Sequence, residues 1–458
     1  MTGQRAELVE HEAAVARLRA SYDAIPGGEP VRLAKRTSNL FRPRTATTAP
    51  GLDVSGLDGV ISVDPVARTA DVQGMCTYEH LVDATLPHGL IPLVVPQLRT
   101  ITLGGAVTGL GIESTSFRSG LPHESVLEMD VFTGAGEVVT ATPTNEHADL
   151  FATFPNSYGS LGYATRLRIR LEPVRSHVAL RHVFFDDTAA LQRAIATITD
   201  TGEWHGERVD GLDGVAFEPG EQYLTLARWV DATSEGTDYV GQQIYWRSIQ
   251  QRETDLLTTF DYLWRWDTDW FWCSRAFGAQ NPWVRRVWPR RLRRSDTYHR
   301  LVGLDQRFGV ADRLNRWAGK PKHERVVQDI EVPVERLGEF LEWFDEHVGM
   351  RPMWLCPLRL TGDARWPSYP LEPGHTYVNV GFWGAVGVGP DAPQSPLNRA
   401  IEDKVAELDG HKSLYSESFY DRATFDRLYD GANLAAVKGR YDPEQRLTTL
   451  YDKAVRRR

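Results

Sequence analysis

The chain has 458 residues, of which 41% are hydrophobic and 25% charged, and its formal charge is −9. This length exceeds what one compact core holds, so two or three folding units are expected. The acidic balance argues against a nucleic-acid-binding protein. The scattered Cys76, Cys273 and Cys356 argue against a disulfide scaffold or a zinc ribbon, and they favour a reducing, cytoplasmic setting.

Residues 1–30 contain a predicted helix, with one stripe formed by Leu8, Ala13, Val15, Leu18 and Tyr22. This stretch lacks the apolar region of a secretory signal peptide. No apolar run approaches the roughly 18–20 residues that a membrane span requires. We therefore predict neither classical secretion nor a transmembrane segment.

Residues 31–175 show short β-type runs separated by Gly, Pro and Asp, which predict a first α+β unit rather than a doubly wound Rossmann sheet. One helix is predicted at Tyr78–His88, with Gly89 as its C-terminal cap. The predicted strands are Gly59–Val63, Thr69–Val72, Val126–Phe132, Glu137–Thr140 and Ala164–Leu171.

Residues 176–400 mix both element types again and predict a second α+β unit. Its predicted helices are Asp187–Thr199 and Val334–Val348. Its clearest predicted strands are Val326–Val332, Met353–Leu360 and Tyr377–Trp383. Residues 401–458 form a predicted C-terminal segment, helical and polar over Asp421–Val455, that closes onto the first unit.

Two glycine-bearing loops lie about fifty residues apart, at Leu103–Ser116 and Asn156–Gly162. A buried pyrophosphate needs several N–H donors with no side chains in the way, and glycine backbone permits that approach. Either loop alone is also typical of a simple turn, but the pair favours a bound dinucleotide. The sequence contains no GxGxxG motif at the start of a βαβ unit and no P-loop, GxSxG, HExxH or EF-hand motif. It therefore gives no motif support for a Rossmann dinucleotide-binding protein, a hydrolase or a metalloenzyme.

These loops resemble the FAD-binding (PCMH-type) domain of the vanillyl-alcohol oxidase superfamily, and within it the Δ24-sterol reductase-like branch. The most specific match is Gly109–Ser116, and further matches are Val326–Pro333, Trp354–Pro357 and Tyr415–Tyr429. The resemblance implies an α+β fold in which a two-subdomain FAD-binding domain is followed by an α+β substrate (cap) domain. It implies FAD contacts from Thr102, Leu103, Gly104, Gly105, Gly109, Gly111, Ile112, Glu113, Ser114, Thr115, Ser116, Gly120, Gly159, Ser160, Leu161, Gly162 and Ile169.

Many members of that superfamily attach FAD covalently through a His or Cys in these loops. The matching stretch here, Ser116–Gly120, contains neither residue type. His123 lies just beyond it and is expected at the surface. We therefore predict non-covalent FAD, with NADPH as the ultimate reductant.

Reduction of an isolated alkene by a flavin needs a hydride and a proton from a positioned acid. The candidate acids are Glu113, Asp329, Tyr415 and Tyr420. Burial of Glu113 inside the flavin loop would raise its pKa and keep it protonated. The alternatives are that Glu113 braces its loop, that Asp329 braces the sheet, and that the tyrosines only pack.

A further set of alternating residues predicts either the floor of a large apolar pocket or an ordinary core strand. The set comprises Trp354, Cys356, Tyr377, Asn379, Gly381 and Trp383. The Cys356 thiol is expected to be buried rather than reactive.

Residues 260–300 concentrate tryptophan and arginine in an otherwise acidic chain. The set comprises Trp264, Trp266, Trp270, Trp272, Trp283, Trp288, Arg275, Arg285, Arg286, Arg290, Arg291, Arg293 and Arg294. This combination favours contact with an anionic membrane, with rings at headgroup depth and guanidinium groups on lipid phosphates. A structural layer of stacked Arg and Trp is the alternative.

The preferred hypothesis is an FAD-dependent, NADPH-driven reductase of an isolated C=C in a membrane lipid. The excess of arginine over lysine indicates a GC-rich bacterial genome, where sterols are rare. The favoured substrate is therefore the exomethylene group of a methylene-branched fatty acyl chain, which gives a 10-methyl-branched acid and pairs with an S-adenosylmethionine-dependent methyltransferase. The alternatives are a sterol side-chain reductase, a flavin-linked oxidase or dehydrogenase of an alcohol, sugar or lipid, and a lipid-binding protein without catalysis.

Overall fold

The computed structural model describes residues 2–35, 50–240, 243–308 and 322–456. These residues form two units, each built on an antiparallel sheet with helices packed against it. The predicted α+β class is confirmed. None of the helices in the described ranges has the length and apolar character needed to cross a bilayer.

The first unit holds a six-stranded sheet in the order β1-β2-β6-β4-β5, with β3 paired to the far end of β6. The strands are β1 (Val60–Asp64), β2 (Thr69–Gln73), β3 (Leu90–Pro92), β4 (Val126–Phe132), β5 (Val138–Ala141) and β6 (Tyr163–Pro173). The helices are α1 (Thr2–Asp23), α2 (Tyr78–Thr85), α3 (Leu103–Gly109), α4 (Ser116–Ser119) and α5 (Ala148–Thr153). All five predicted strands of this unit form, and in β6 the buried Leu167, Ile169 and Leu171 alternate with the exposed Arg168 and Arg170, as a strand with one buried face requires.

The helix predicted to reach His88 ends earlier. Helix α2 stops at Thr85 and continues as one 3₁₀ turn, Leu86–His88. Pro87 has no N–H to continue the α-helical hydrogen bonds, which explains the change. Gly89 then closes the turn with a φ of 67°, as its predicted capping role requires.

The second unit holds an eight-stranded antiparallel sheet in the order β12-β7-β11-β10-β14-β15-β13-β16. The strands of this unit are β7 (His177–Phe185), β8 (Glu203–Trp204), β9 (Glu207–Arg208), β10 (Gly211–Glu218), β11 (Glu221–Val230), β12 (Thr254–Thr258), β13 (His323–Pro333), β14 (Met353–Leu358), β15 (Tyr377–Gly387) and β16 (His411–Lys412). Strands β8 and β9 form a separate two-stranded hairpin. The helices are α6 (Thr188–Thr201), α7 (Tyr245–Gln251), α8 (Thr259–Leu263), α9 (Pro282–Val287), α10 (Ser295–Phe308), α11 (Leu337–His347) and α12 (Pro396–Glu407).

The two faces of this second sheet have different neighbours. Helices α6, α11 and α12 cover the outer face and form their own apolar core. The inner face packs against the first unit and against aromatic residues from 239–298, in one core shared by both units. The second sheet therefore lies between a helical layer and the first unit.

The tryptophan- and arginine-rich segment is mostly interior, which corrects the expectation that its rings lie at a surface. Trp264, Trp266, Trp270 and Trp272 are at most 6% exposed, because they fill the space between the inner face of the second sheet and the first unit. Trp288 is half-buried, and Trp283 is 77% exposed.

The C-terminal segment returns to the first unit through α13 (Arg422–Leu428), α14 (Gly431–Tyr441) and α15 (Leu450–Ala454). The Lys438 ammonium group donates to the carbonyl of Ser160, and the Arg446 guanidinium group donates to the carbonyl of Ile25. Strand β16 pairs with β13, so the second sheet extends beyond residue 400, where its end was predicted.

Candidate active site between the two units

A cavity of about 890 Å³ lies between the two units, within the roughly 300–1,000 Å³ typical of small-molecule sites. The first unit contributes residues from Pro96 to Ile112 and from Tyr158 to Ala164. The second unit contributes Trp270, Phe271, His299, Asp329, Trp354, Trp383 and Tyr415, and the C-terminal segment contributes Lys453. A ligand in this cavity would contact both units.

Glycines of the first loop allow close backbone approach at one end of the cavity. The Gly104 N–H donates to the carbonyl of Gly74 at 2.9 Å, and a Cβ on Gly104 would lie 2.6 Å from that oxygen. A Cβ on Gly74 would in turn lie 1.9 Å from the carbonyl of Ala164. Thr102 caps α3 by accepting from the Gly105 N–H. These glycines therefore hold the start of α3 against β6.

The second loop is fastened to the first. Tyr158 has a φ of 48°, and its hydroxyl donates to the carbonyl of Gly109 at 2.9 Å. Lys453 donates to the carbonyls of Tyr158 and Gly159, each at 2.9 Å. Gly162 adopts a φ of 143°, where a Cβ would lie 2.6 Å from the carbonyl of Phe132. Both loops and α15 thus form one wall of the cavity.

The structure divides the residues predicted from the sequence into two groups. Those that line the cavity are Thr102, Gly104, Gly105, Gly109, Gly111, Ile112, Gly159, Gly162, Asp329 and Tyr415. Those that do not line it are Leu103, Glu113, Ser114, Thr115, Ser116, Gly120, Ser160, Leu161, Ile169 and Tyr420. Most of the second group is core: Leu103, Leu161 and Ile169 are at most 1% exposed.

The hydroxyl residues after Ile112 point away from the cavity because the chain turns into the packing between the two units. The Ser114 hydroxyl lies 2.7 Å from the hydroxyl of Tyr262, and the Thr115 hydroxyl donates to the carbonyl of Leu93. The Ser116 hydroxyl accepts from the Glu113 N–H. These contacts brace the loop, and they do not present the hydroxyls to a ligand.

Glu113 belongs to a buried charge cluster behind the cavity. Arg265 donates to Glu113 and to Asp213, each at 3.0 Å, and Asp213 also accepts from the indole N–H groups of Trp266 and Trp354. Burial raises the pKa of Glu113, and Arg265 opposes the shift. The raised pKa agrees with the prediction for Glu113, but its position outside the cavity does not support a role as the proton donor.

Within the described ranges, Asp329 is the carboxyl group that faces the cavity. It lies on β13 opposite Gly381 of β15, and a Cβ on Gly381 would lie 2.4 Å from Asp329 Oδ1. That oxygen has no hydrogen-bond partner within the described part of the chain. Burial raises the pKa of Asp329 to about 7, against the contributions of the neighbouring Asn379 and Tyr415. Asp329 can therefore carry a proton near neutral pH.

Aromatic rings build the wall next to Asp329. The Phe271 ring lies 4.5 Å from Trp383 and 5.4 Å from Trp354, measured between ring centroids. The Trp383 indole N–H donates to the Tyr415 hydroxyl at 2.7 Å, which holds Tyr415 beside Asp329. Of the predicted pocket floor, Trp354, Gly381 and Trp383 thus lie at or against the cavity. Cys356 and Asn379 lie in the core beside it.

Sequence reasoning missed Trp270, Phe271 and His299 because it assigned their aromatic-rich segment to a membrane surface. It also missed Tyr158 and Lys453. The unusual density of aromatic residues was the available signal, but composition does not distinguish a cavity wall from an exposed surface.

His123, expected at the surface, is 1% exposed. Its ring packs edge-on against Trp366 at 4.4 Å, and burial lowers its pKa to about 3. Among the described residues that line the cavity, His299 is the one histidine and none is a cysteine.

Comparison with known proteins supports a flavin at this cavity. A family profile described as "FAD binding domain" matches residues 9–142. A Δ24-sterol reductase of Arabidopsis thaliana is 26% identical over 442 residues, covering 89% of this chain and 77% of the relative. The Homo sapiens Δ24-sterol reductase is 23% identical over 436 residues, covering 88% and 75%. Cytokinin dehydrogenase 3 of Oryza sativa subsp. japonica is 34% identical over 124 residues, covering 27% and 23%.

The chain is an FAD-dependent oxidoreductase that is similar to Δ24-sterol reductases over most of its length. The residues of this flavoprotein fit the cofactor. Thr100 lines the cavity with a buried hydroxyl that has no partner in the described ranges, so it can bind a polar group of FAD. Gly109 and Gly111 leave the α3 end of the cavity open, and the Lys453 ammonium group adds positive charge beside it.

Proposed function

We propose that this flavoprotein reduces an isolated C=C bond in a long apolar lipid chain. One observation carries the proposal: Asp329, whose pKa is raised to about 7, faces an aromatic-lined cavity shared with the FAD-binding unit. Net addition of H₂ to an alkene needs one hydride and one proton. Bound FAD, reduced by NADPH, supplies the hydride, and Asp329 supplies the proton.

The surroundings of Asp329 suit this role. An isolated alkene is a poor electrophile, so proton transfer to one carbon must accompany hydride transfer to its neighbour. Trp383, Trp354 and Phe271 exclude water from the place where positive charge develops. Tyr415, held by Trp383, lies beside the Asp329 carboxyl and orients it.

For the substrate, we favour the exomethylene group of a methylene-branched fatty acyl chain, whose reduction gives a 10-methyl-branched acid. The residue composition of the chain supports this choice, and an S-adenosylmethionine-dependent methyltransferase would supply the precursor. The relatives support the alternative, a Δ24-sterol-type side chain. Incubation of the NADPH-reduced protein with each substrate, followed by mass spectrometry of the products, separates the two.

The direction of the reaction also needs a test. The chain is 34% identical to a cytokinin dehydrogenase over 124 residues, so oxidation of a substrate is the second candidate function. In stopped-flow experiments, we expect NADPH to bleach the flavin and air to reoxidise it slowly. Rapid reoxidation with release of peroxide would instead identify an oxidase. We further propose that FAD is bound non-covalently, and acid precipitation should leave a colourless pellet.

Replacement of the proposed proton donor tests the central claim. In Asp329→Asn, we expect alkene reduction to fall about 10²–10⁴-fold, the usual contribution of a general acid, while FAD binding and flavin reduction by NADPH persist. The wild-type rate should fall as the pH rises through about 7, because Asp329 then loses its proton, and the variant should lose this dependence.

The matched control for this experiment is Glu113→Gln, which alters another buried carboxyl group outside the cavity. We expect this variant to keep near-normal turnover. An Asp329→Asn variant with wild-type turnover would refute the proposed function of Asp329.

We also propose that the protein docks on an anionic membrane through α9 and the turn after it. Trp283 and Val287 are 77% and 79% exposed, and Leu292 is 39% exposed. The exposed Arg286, Arg290 and Arg291 alternate with these apolar side chains. We call these six residues the docking face; in sequence it lies between the cavity-lining Phe271 and His299, which supports entry of a lipid from the membrane.

A further inference from the structure

A row of buried polar side chains crosses the inner face of the second sheet next to Asp329. Strand pairing places Cys356, Asn379, Glu331 and His411 side by side on β14, β15, β13 and β16. All four are at most 5% exposed. We call these four residues the polar row. Asp329 precedes Glu331 by two positions, so both carboxyl groups project from the same face of β13.

The hydrogen-bonding groups of the polar row are largely unpaired. No well-formed hydrogen bond reaches either oxygen of Glu331, either amide atom of Asn379 or Nε2 of His411 in the described part of the chain, although the Tyr369 hydroxyl lies near Glu331 and the Asn379 amide near Asp329. Buried polar groups are normally hydrogen-bonded, and each unsatisfied group costs about 1–3 kcal/mol. A core selected for packing alone would place apolar residues here, as the outer face of the same strands does with Ile330 and Val380.

The titratable groups around Glu331 include no cation in the described ranges. Asp329 lies on the same strand, His411 on β16, and Tyr369 on the loop before β15, with Tyr420 and Tyr429 farther out. Burial raises the pKa of Glu331 well above its usual value, and Asp329 adds to this shift. Burial lowers the pKa of His411 to about 3, so the imidazole is neutral. Glu331 therefore holds a proton at neutral pH.

Two carboxyl groups are thus adjacent, and one of them reaches the cavity. The Cα atoms of residues two apart on a strand are separated by about 6.6 Å, so the carboxyl groups are within reach of each other directly or through one water. Such a pair titrates as a unit, because loss of the first proton opposes loss of the second.

We propose that Glu331 is the proton store of the site and returns a proton to Asp329 after each turnover. This inference rests on the proposed role of Asp329 as donor. In each cycle, the Asp329 carboxyl would give its proton to one alkene carbon, and bound reduced FAD would be the source of the hydride for the other. The Asp329 carboxylate then takes the proton of Glu331, and the Glu331 carboxylate regains one from solvent, so charge and atoms balance. The first of these transfers is uphill because Glu331 has the higher pKa, and reprotonation of Glu331 draws it forward.

The test compares the first turnover with later turnovers in Glu331→Gln. Pre-reduced protein is mixed with the alkene substrate, and flavin reoxidation is followed without and with excess NADPH. We expect the first turnover within about twofold of wild type, because Asp329 already carries its proton, and steady-state turnover at least about tenfold slower. In Glu331→Gln, the solvent deuterium isotope effect should be larger in the steady state than in the first turnover, where only proton transfer from Asp329 contributes.

Glu331→Asp is the second variant, and it keeps a carboxyl group at this position. We expect it to restore steady-state turnover to within about threefold of wild type. Glu113→Gln is the matched control for loss of a buried carboxyl group and should leave both phases unchanged. Flavin absorbance and the melting temperature confirm that each variant is folded and loaded.

Three results would overturn the inference. The first is a Glu331→Gln variant with the steady-state turnover of wild type. The second is a Glu331→Gln variant whose first and later turnovers are slowed equally. The third is a Glu331→Asp variant that turns over as slowly as Glu331→Gln. Each leaves the role of Asp329 intact, whereas full activity of Asp329→Asn would remove the proposed function together with this inference.

Discussion

At the residue scale, burial decides which carboxyl groups can take part in chemistry. Glu113 is buried and Asp329 half-buried, and both have raised pKa values, but Glu113 is paired with Arg265 and Asp329 has no cation partner described. A paired cation favours the charged form of a carboxyl group, whereas burial without a cation favours the protonated form. The sequence placed both residues among the candidates, and only the environment of each separates them.

The buried cluster around Arg265 gives a prediction of stability. In Arg265→Met, Glu113 and Asp213 lose their shared cation, so we expect the free energy of unfolding to fall by about 3–5 kcal/mol. Urea unfolding followed by tryptophan fluorescence measures this change. Glu113→Gln should cost about 1 kcal/mol or less, because glutamine can still accept from Arg265. Equal losses in both variants would contradict this account.

At the element scale, periodicity predicted most strands and helices correctly, because alternating burial is a local property of a strand. Strand β13 shows this clearly, with Val326, Ile330 and Val332 on the outer face and Asp329 on the inner face. The predicted end of α2 was wrong because Pro87 lacks the backbone N–H that an α-helix needs, and the hydrophobic pattern of the sequence does not show this. The interior position of residues 264–272 was missed because burial of an aromatic run depends on distant strands.

The closeness of α3 to β6 gives a prediction for the glycine loop. Gly104→Ala places a Cβ against the backbone of Gly74, so we expect a loss of about 1–3 kcal/mol in stability and weaker FAD binding. Thermal unfolding and flavin titration measure the two effects. Gly439→Ala is the control, because this exposed position of α14 has no neighbouring atom within 4 Å of the new Cβ.

In that control, alanine should stabilise the helix by about 0.5–1 kcal/mol, since it loses less backbone entropy than glycine on folding. A destabilised Gly439→Ala, or an unaffected Gly104→Ala, would contradict the role assigned to the close contact.

At the scale of the whole molecule, the docking face differs in charge from the rest of the protein. The chain carries a net charge of −9, yet the docking face concentrates arginine around exposed Trp283 and Val287. An anionic bilayer would repel the molecule as a whole and attract this face, so we expect the face to set the orientation of docking. Arg285 and Arg293 hold the segment in place through Asp269 and backbone carbonyls, and these two arginines are buried.

This orientation is testable with vesicles. We expect co-sedimentation with anionic vesicles that weakens with salt, and Trp283→Ala combined with Val287→Ser should reduce binding about tenfold or more. Val66→Ser is the control, because Val66 is 94% exposed on the first unit, outside the docking face. Equal binding to neutral and anionic vesicles, or equal loss in the control, would argue against this face.

The sequence by itself determined the α+β class, most strand positions and the two glycine-bearing loops that line the cavity, because alternation and glycine-bearing turns are properties of neighbouring residues. Tertiary structure alone decided that Asp329 rather than Glu113 faces the cavity and that four tryptophans are interior. It also brought Cys356, Asn379, Glu331 and His411 into one row. These outcomes depend on which strands become neighbours, and strand pairing joins residues that are far apart along the chain.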